Sequence, residues 1–153
     1  MCIVSVSTTG RDDYLNELRA KILRCGWAVQ YVESDRMPFA YTVGLTRDGL
    51  PELLVTGVSP RRAVRLLNSV ARGAADPVMP GGKITIPAGP LVEVVEVEHP
   101  DAHLNMAVEI FGNGVQAFQL VWADERGRWP WTSSFNDGRG GQPVLGVRAA
   151  QAK

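Results

Sequence analysis

The chain has 153 residues, 45% of them hydrophobic and 21% charged, with sixteen glycines and ten prolines, and sixteen basic residues balance sixteen acidic ones. This length fits one domain that can bury a core without metal or disulfide support, and the composition excludes a long coiled coil, collagen and a wholly disordered chain. Zero formal net charge provides no overall field to draw in nucleic acid or an acidic membrane.

In chain order, residues 2–7 read as a short strand or a loose end. Asp12 and Asp13 precede an apolar series at Leu15, Leu18, Ile22 and Cys25, with Gly26 as the stop, which predicts a helix over 12–25. Residues 27–33, 39–45 and 52–56 alternate as strands, separated by turns containing Asp35 and Pro38 and then Arg47-Asp48-Gly49. Their closeness in sequence makes a meander the simplest topology. Ser59-Pro60 is a helix start, and Ala63, Val64, Leu67, Val70 and Ala71 form the buried stripe of a helix ending at Gly73. Arg61, Arg62, Arg65 and Arg72 lie mainly outside that stripe. Two of these arginines occupy the first turn, where the helix dipole disfavours cations and an anion would offset the cost.

A Pro- and Gly-rich connection over 76–90 encloses a short strand at 83–86. Residues 91–98 are apolar on both faces at their centre, as in an interior strand. Pro100 opens a helix over roughly 100–111, closed by Gly112 and Gly114, and 115–123 reads as the longest strand. Trp129-Pro130-Trp131 and a Gly-rich loop follow, then an edge strand at 143–147. The expected fold is α+β: a single domain over 1–153 with its core over 12–147 and residues 148–153 frayed. A mixed or mainly antiparallel twisted sheet carries about three helices, packed on one side.

No dinucleotide or phosphate-binding glycine motif, paired-cysteine motif or nucleophile elbow occurs. No cofactor and no metal are expected. His99 and His103 stand four apart near Glu98, Asp101 and Glu109, and their plainest reading is a solvent-facing pair. Cys2 and Cys25 allow at most one bridge, and they are expected as reduced thiols of a cytoplasmic protein. No leader pattern is seen, and no apolar stretch reaches the roughly 18 residues of a membrane span.

Thr42 and Gln119 interrupt apolar strands, and a buried amide or hydroxyl needs a partner, here expected to be each other across strands or a ligand. Glu52 follows Pro51 at a strand start, where a carboxylate accepts loop amides or serves as a base. With Tyr41, Trp122, Trp129 and Trp131 these residues form a candidate polar-aromatic pocket, and Arg61, Arg62 and Arg65 are candidate anion contacts. The alternative for the polar-aromatic set is purely structural: tryptophans folded over the core, and polar groups satisfied locally.

Gly26-Trp27, the run 39–45, the run 49–57, Ala63 to Asn68, Gln119 to Trp122, Asp124 to Gly127, Trp129-Pro130-Trp131 and the run 142–146 together carry a resemblance. On these segments the chain resembles the bacterial family called domain of unknown function 4262. Members often have a histidine before the Gly-Trp pair, where this chain has Cys25, so no role of that histidine carries over. The resemblance implies one domain over 26–146 and no established activity. The leading expectation is a small-molecule-binding module, with a second copy of the chain, a small molecule or a protein as partner. The alternatives are an interaction or inhibitory protein acting through the Trp129–Trp131 loop, and a hydrolase or transferase using His99 or His103. Neither a membrane nor a nucleic acid is the expected partner, the latter retaining only the route through Arg61, Arg62 and Arg65.

Overall fold

The computed structural model describes residues 3–4, 11–33, 37–73 and 78–149. Among them, seven strands form one mixed sheet: β1 (Ile3–Val4), β2 (Ala28–Val32), β3 (Phe39–Val43), β4 (Glu52–Thr56), β5 (Lys83–Thr85), β6 (Leu91–Glu96) and β7 (Ala117–Trp122). Their order is β1-β2-β3-β4-β7-β6-β5. The expected meander is present as antiparallel β2, β3 and β4, with Val29 opposite Thr42 and Tyr41 opposite Leu54. β7 lies parallel to β4 and antiparallel to β6, and β1 is parallel to β2. The fold is thus α+β with a mixed, largely antiparallel sheet.

Four helices pack on this sheet: α1 (Arg11–Cys25), α2 (Pro60–Arg72), α3 (Pro100–His103) and α4 (Asn105–Phe111). They occupy both faces, which corrects the one-sided packing expected from sequence. The α2 stripe packs with Val29, Ala40, Leu53, Val55, Phe118, Leu120 and Trp122. On the opposite face, Tyr14, Leu18 and Ile22 of α1 and Ala107 of α4 pack with Tyr41, Val43, Leu54 and Ala117. Strands buried on both sides explain why β4 and β7 read as nearly continuous apolar runs.

Local departures have local causes. The helix expected over 100–111 breaks at Leu104, whose φ of −95° and ψ of 61° leave the helical region while its side chain stays buried in the second core. Cys25 was assigned to the apolar stripe of α1, but it is exposed and disulfide-bonded rather than a reduced thiol. The other cysteine, Cys2, lies outside the described residues, as do the turn at 34–36 and the tail from 150.

The segment after the Gly-rich loop is not an edge strand. It crosses the sheet as a strap, and only Gly146 forms a bridge, opposite Val97. A crossing segment lacks a ladder, so side chains must satisfy its backbone. Gln119 Nε2 donates to Pro143 O (2.8 Å) and to Thr56 Oγ1 (3.2 Å), and Gln119 Oε1 accepts from Leu145 N (2.8 Å). Gln142 in turn accepts from Trp122 N (2.9 Å) and donates to Trp122 O (2.8 Å). Two glycines permit the close approach: a Cβ on Gly57 would lie 2.1 Å from Gly141 O, and one on Gly146 would lie 1.9 Å from Glu96 O. Arg148, assigned by sequence to the fraying tail, places its guanidinium on the buried Glu93 carboxylate at 2.8 and 3.0 Å.

The loop between β7 and the strap is gathered by Asp124. Its carboxylate accepts from the amides of Arg126, Arg128 and Asn136 and from Arg128 Nε, all at 2.8–2.9 Å. Burial works against this charge, but the three amides and the guanidinium outweigh it and hold the carboxyl at about 2, below its ordinary 3.8.

Two outcomes are expected. Gln142→Ala leaves both backbone groups of Trp122 unpaired and lowers stability by about 2–4 kcal/mol in urea denaturation. Asp124 has a depressed folded pKa, so its contribution is complete above about pH 4 and is lost as pH falls toward 2. Stability measured against pH therefore declines less steeply for Asp124→Asn than for the parent in that interval.

Candidate functional site

Glu52 is 0% exposed and is the most heavily bonded carboxylate described here. It stands at the start of β4, facing the 3-10 turn Leu45–Asp48 that follows β3. Oε1 accepts from Thr42 Oγ1 (2.8 Å) and Leu45 N (3.1 Å). Oε2 accepts from Gly44 N (3.2 Å), Thr46 N (2.9 Å) and the Thr46 hydroxyl. Thr42 Oγ1 also accepts from Leu53 N at 2.9 Å. A carboxylate has about four acceptor positions, and five donors fill them. Glu52 therefore behaves as a hub for loop amides, the first of the two roles read from sequence, and no lone pair is left for a substrate.

The other polar candidates have other hydrogen-bond partners. The register aligns Thr42 with Val29 on the α2 face, whereas Gln119 aligns with Leu54 and Tyr41 on the opposite face. Gln119 is bonded to the strap. Tyr41 lies in the second core, where its hydroxyl accepts from Met106 N at 3.0 Å and burial raises its pKa above the usual phenol range. Trp122 lies on the α2 face, donates from Nε1 to Thr56 O (2.9 Å) and packs on Phe135. The structure thus joins Thr42 to Glu52, places Tyr41 near enough for the Glu52 charge to add to its raised pKa, and gives Gln119 and Trp122 other partners.

Trp129 and Trp131 stack on each other, with centroids 5.3 Å apart and planes 7° apart, and both are half-buried. Lys83 lies 5.9 Å from the Trp129 centroid and Arg148 lies 3.8 Å from that of Trp131. Cations thus flank the pair. His99 is exposed at the start of α3 and His103 is half-buried at its end. Among the described residues, no group of three or more His, Cys, Asp or Glu side chains is placed to hold a metal ion.

Open space flanks α2. On one side a hollow of about 510 Å³ is lined by Arg62, Arg65, Leu91, Asp124 and Glu125, among others. Its charges are mixed, and the Arg62 guanidinium is engaged 4.9 Å above the Trp122 ring. On the other side a hollow of about 500 Å³ lies between α2 and β2, lined by Val29, Tyr31, Val64 and Pro60 and by Arg61, Arg65, Asn68, Ser69 and Arg72. Both volumes fall within the range of small-molecule sites. Among the described residues Arg61, Arg65 and Arg72 have no carboxylate partner, and they stand on one helix flank over about 16 Å. The Tyr31 hydroxyl donates to Val58 O (3.3 Å), and burial together with the Glu33 charge raises its pKa.

Asn68 was missed by the sequence reading. It lies four residues after Val64 and three before Ala71, on the buried stripe, and that polar interruption was its available signal. Its residue exposure is 5%. Oδ1 accepts from Trp27 Nε1 at 2.8 Å, while Nδ2 has no hydrogen-bond partner. The indole is a donor only, so the amide cannot flip to relieve Nδ2. Leaving a buried donor unpaired costs about 1–3 kcal/mol.

The hub reading of Glu52 has a direct test. Glu52→Gln turns an NH₂ group toward donors, and a loss of about 2–4 kcal/mol is expected in chemical denaturation. Thr42→Val is expected to cost about 1–3 kcal/mol, whereas the exposed Glu98→Gln stays within about 0.5 kcal/mol of the parent.

Comparison with known proteins adds one finding. Neither the curated proteins nor the solved structures include a match to this chain. A sequence profile matches residues 21–136, from the second half of α1 through β7 and its following loop, and so includes Glu52, all of α2 and the tryptophan pair. The chain belongs to the family described as Domain of unknown function (DUF4262).

Proposed function

We propose that this protein is a small-molecule-binding module whose ligand is an anion lying along the β2-facing flank of α2. The observation that carries this reading is the row of Arg61, Arg65 and Arg72, without carboxylate partners among the described residues, beside a hollow of about 500 Å³. Two of the anion contacts expected from sequence, Arg61 and Arg65, line this hollow, while Arg62 lines the one on the other flank, which Arg65 also borders. An anion also offsets the placement of Arg61 in the first turn of α2, where the helix dipole disfavours positive charge. The hollow beside Arg62 is the weaker choice because Asp124 and Glu125 line it too.

The reading assigns no chemical step. Glu52 is sealed by its donors, and the proposed site is lined by arginines, the Asn68 amide, the Ser69 and Tyr31 side chains and apolar groups. These side chains serve to hold a ligand.

The test is a thermal-shift screen of small molecules weighted toward organic anions, run on the parent and on Arg61→Ala and Arg65→Ala. Ligand at a hundred times its Kd stabilises by about 2.7 kcal/mol, which raises Tm by roughly 5–10 °C for a domain of this size. Anionic hits that shift the parent and lose most of that shift in both variants are expected. Hits that shift all three proteins equally, or a screen without anionic hits, overturn the proposal.

A further inference from the structure

We infer that Asn113 is a modification site: in the folded protein its side chain cyclises onto the Gly114 amide without an enzyme, loses ammonia and opens to aspartate and isoaspartate. This is independent of the ligand reading. Asn113 and Gly114 form an exposed turn between α4 and β7. Both ends of that turn are anchored, because Gly112 N donates to Val108 O (2.7 Å) and Val115 is buried. Between the anchors, among the described residues, neither Gly114 N nor the Asn113 side chain has a hydrogen-bond partner. A Cβ placed on Gly114 would meet nothing within 4 Å, so the space that a five-membered ring needs is open. Glycine also brings no side chain to hinder the approach of its own nitrogen.

The step needs only water. Hydroxide removes the Gly114 N–H proton, and the nitrogen attacks Asn113 Cγ. The N–Cγ bond forms, the Cγ–Nδ2 bond breaks, and Nδ2 leaves as ammonia with a proton taken from water. Water then opens the ring. Attack at Cγ restores the original backbone as aspartate. Attack at the main-chain carbonyl carbon breaks its bond to Gly114 N and routes the chain through Cγ as isoaspartate. Either way an amide becomes a carboxylate, one negative charge is gained, and nothing is oxidised or reduced. The other asparagines each lack a condition. Asn16 and Asn68 lie inside α1 and α2, whose ladders hold the following amides. Asn105 precedes Met106, whose N–H is donated to the Tyr41 hydroxyl (3.0 Å). Asn136 Nδ2 donates to Gly140 O (2.7 Å). Asp-Gly pairs reach the same ring by loss of water, but Gly49 N is bonded to Thr46 O (3.0 Å) and the Asp137 carboxylate to Arg128 Nη2 (2.8 Å).

The test ages the chain, both folded and in urea, at neutral and mildly alkaline pH, and maps its peptides by mass spectrometry. Isoaspartate is read separately with an isoaspartyl-specific carboxyl methyltransferase and a labelled methyl donor. In the folded protein the exchange of NH₂ for OH is expected first at Asn113, faster at alkaline pH, with methyl label on the same peptide. Urea is expected to change the Asn113 rate by less than about threefold, because the turn is already open, while conversion at Asn105 and Asn136 rises. Gly114→Ala is expected to slow conversion at least about tenfold by restricting the backbone at the attacking nitrogen. Its Cβ meets nothing within 4 Å, so this variant folds as the parent does. Asn113→Gln must close a larger ring, and the label at this position is lost. Thermal unfolding before ageing identifies any variant that fails to fold, and the comparison of folded and urea-treated parent then carries the test. Conversion first at another asparagine or at an Asp-Gly pair, conversion of Asn113 only in urea, or a parental rate in folded Gly114→Ala overturns the assignment.

Discussion

The parallel pairing of β4 with β7 runs for three residue pairs, from Glu52 opposite Ala117 to Leu54 opposite Gln119. Beyond it the two strands part, and the upper halves of both expose backbone groups to a buried space. Their satisfaction governs much of the rest of the structure. Gln142 enters the fork and bonds both the N–H and the C=O of Trp122, in place of a neighbouring strand. Trp122 reaches back with its indole to Thr56 O, at the end of β4. Thr56 Oγ1 donates to Pro143 O, and Gln119 secures both Pro143 O and Leu145 N. A loop thus covers sheet surface that a helix would otherwise cover, and buried side-chain amides supply the missing ladder.

This explains how far the sequence could be read. α2 was legible because its signals are local: Ser59 caps, Pro60 opens and the apolar spacing is helical. The meander was legible because its strands are neighbours in the chain. The strap was not, because the partners of Thr56 and Gln119 lie 87 and 24–26 residues away and leave no periodic trace. Thr42 and Gln119 need partners, as their place in apolar strands indicates, but they do not bond each other. Their partners are Glu52 in one case and the strap in the other. A polar residue inside an apolar strand announces a hydrogen bond, but it does not reveal whether the partner belongs to the chain or to a ligand.

Asn68 shows the converse. It lies in a helix whose apolar spacing is strong enough to hide a single polar interruption, so a reading based on apolar positions passes over it. Structure separates it from Gln119 by accounting alone. The Gln119 amide has its oxygen and nitrogen paired, whereas the Asn68 amide has only its oxygen paired. The arginines divide in the same way. Arg128 and Arg148 are held by carboxylates and organise the C-terminal loops, while Arg61, Arg65 and Arg72 are not.

In open sheets with parallel strands, ligands favour the crevice beyond the carboxyl ends of the strands, where the chain order reverses. Here that crevice would lie beyond Thr56 and Trp122. The strap and its amides already fill it, with Gly57 and Gly141 in backbone contact and Gln142 bonded within it. Closing the fork removes the customary position, and among the described residues both flanks of α2 are open and concave. Of these two flanks, one carries opposing charges and an arginine engaged by Trp122. The other is lined by Arg61, Arg65 and Arg72, by apolar side chains and by Asn68. The same economy of hydrogen bonds that seals the centre of the sheet leaves, among the described residues, the buried Asn68 Nδ2 without a partner, on a residue that borders the groove beside β2.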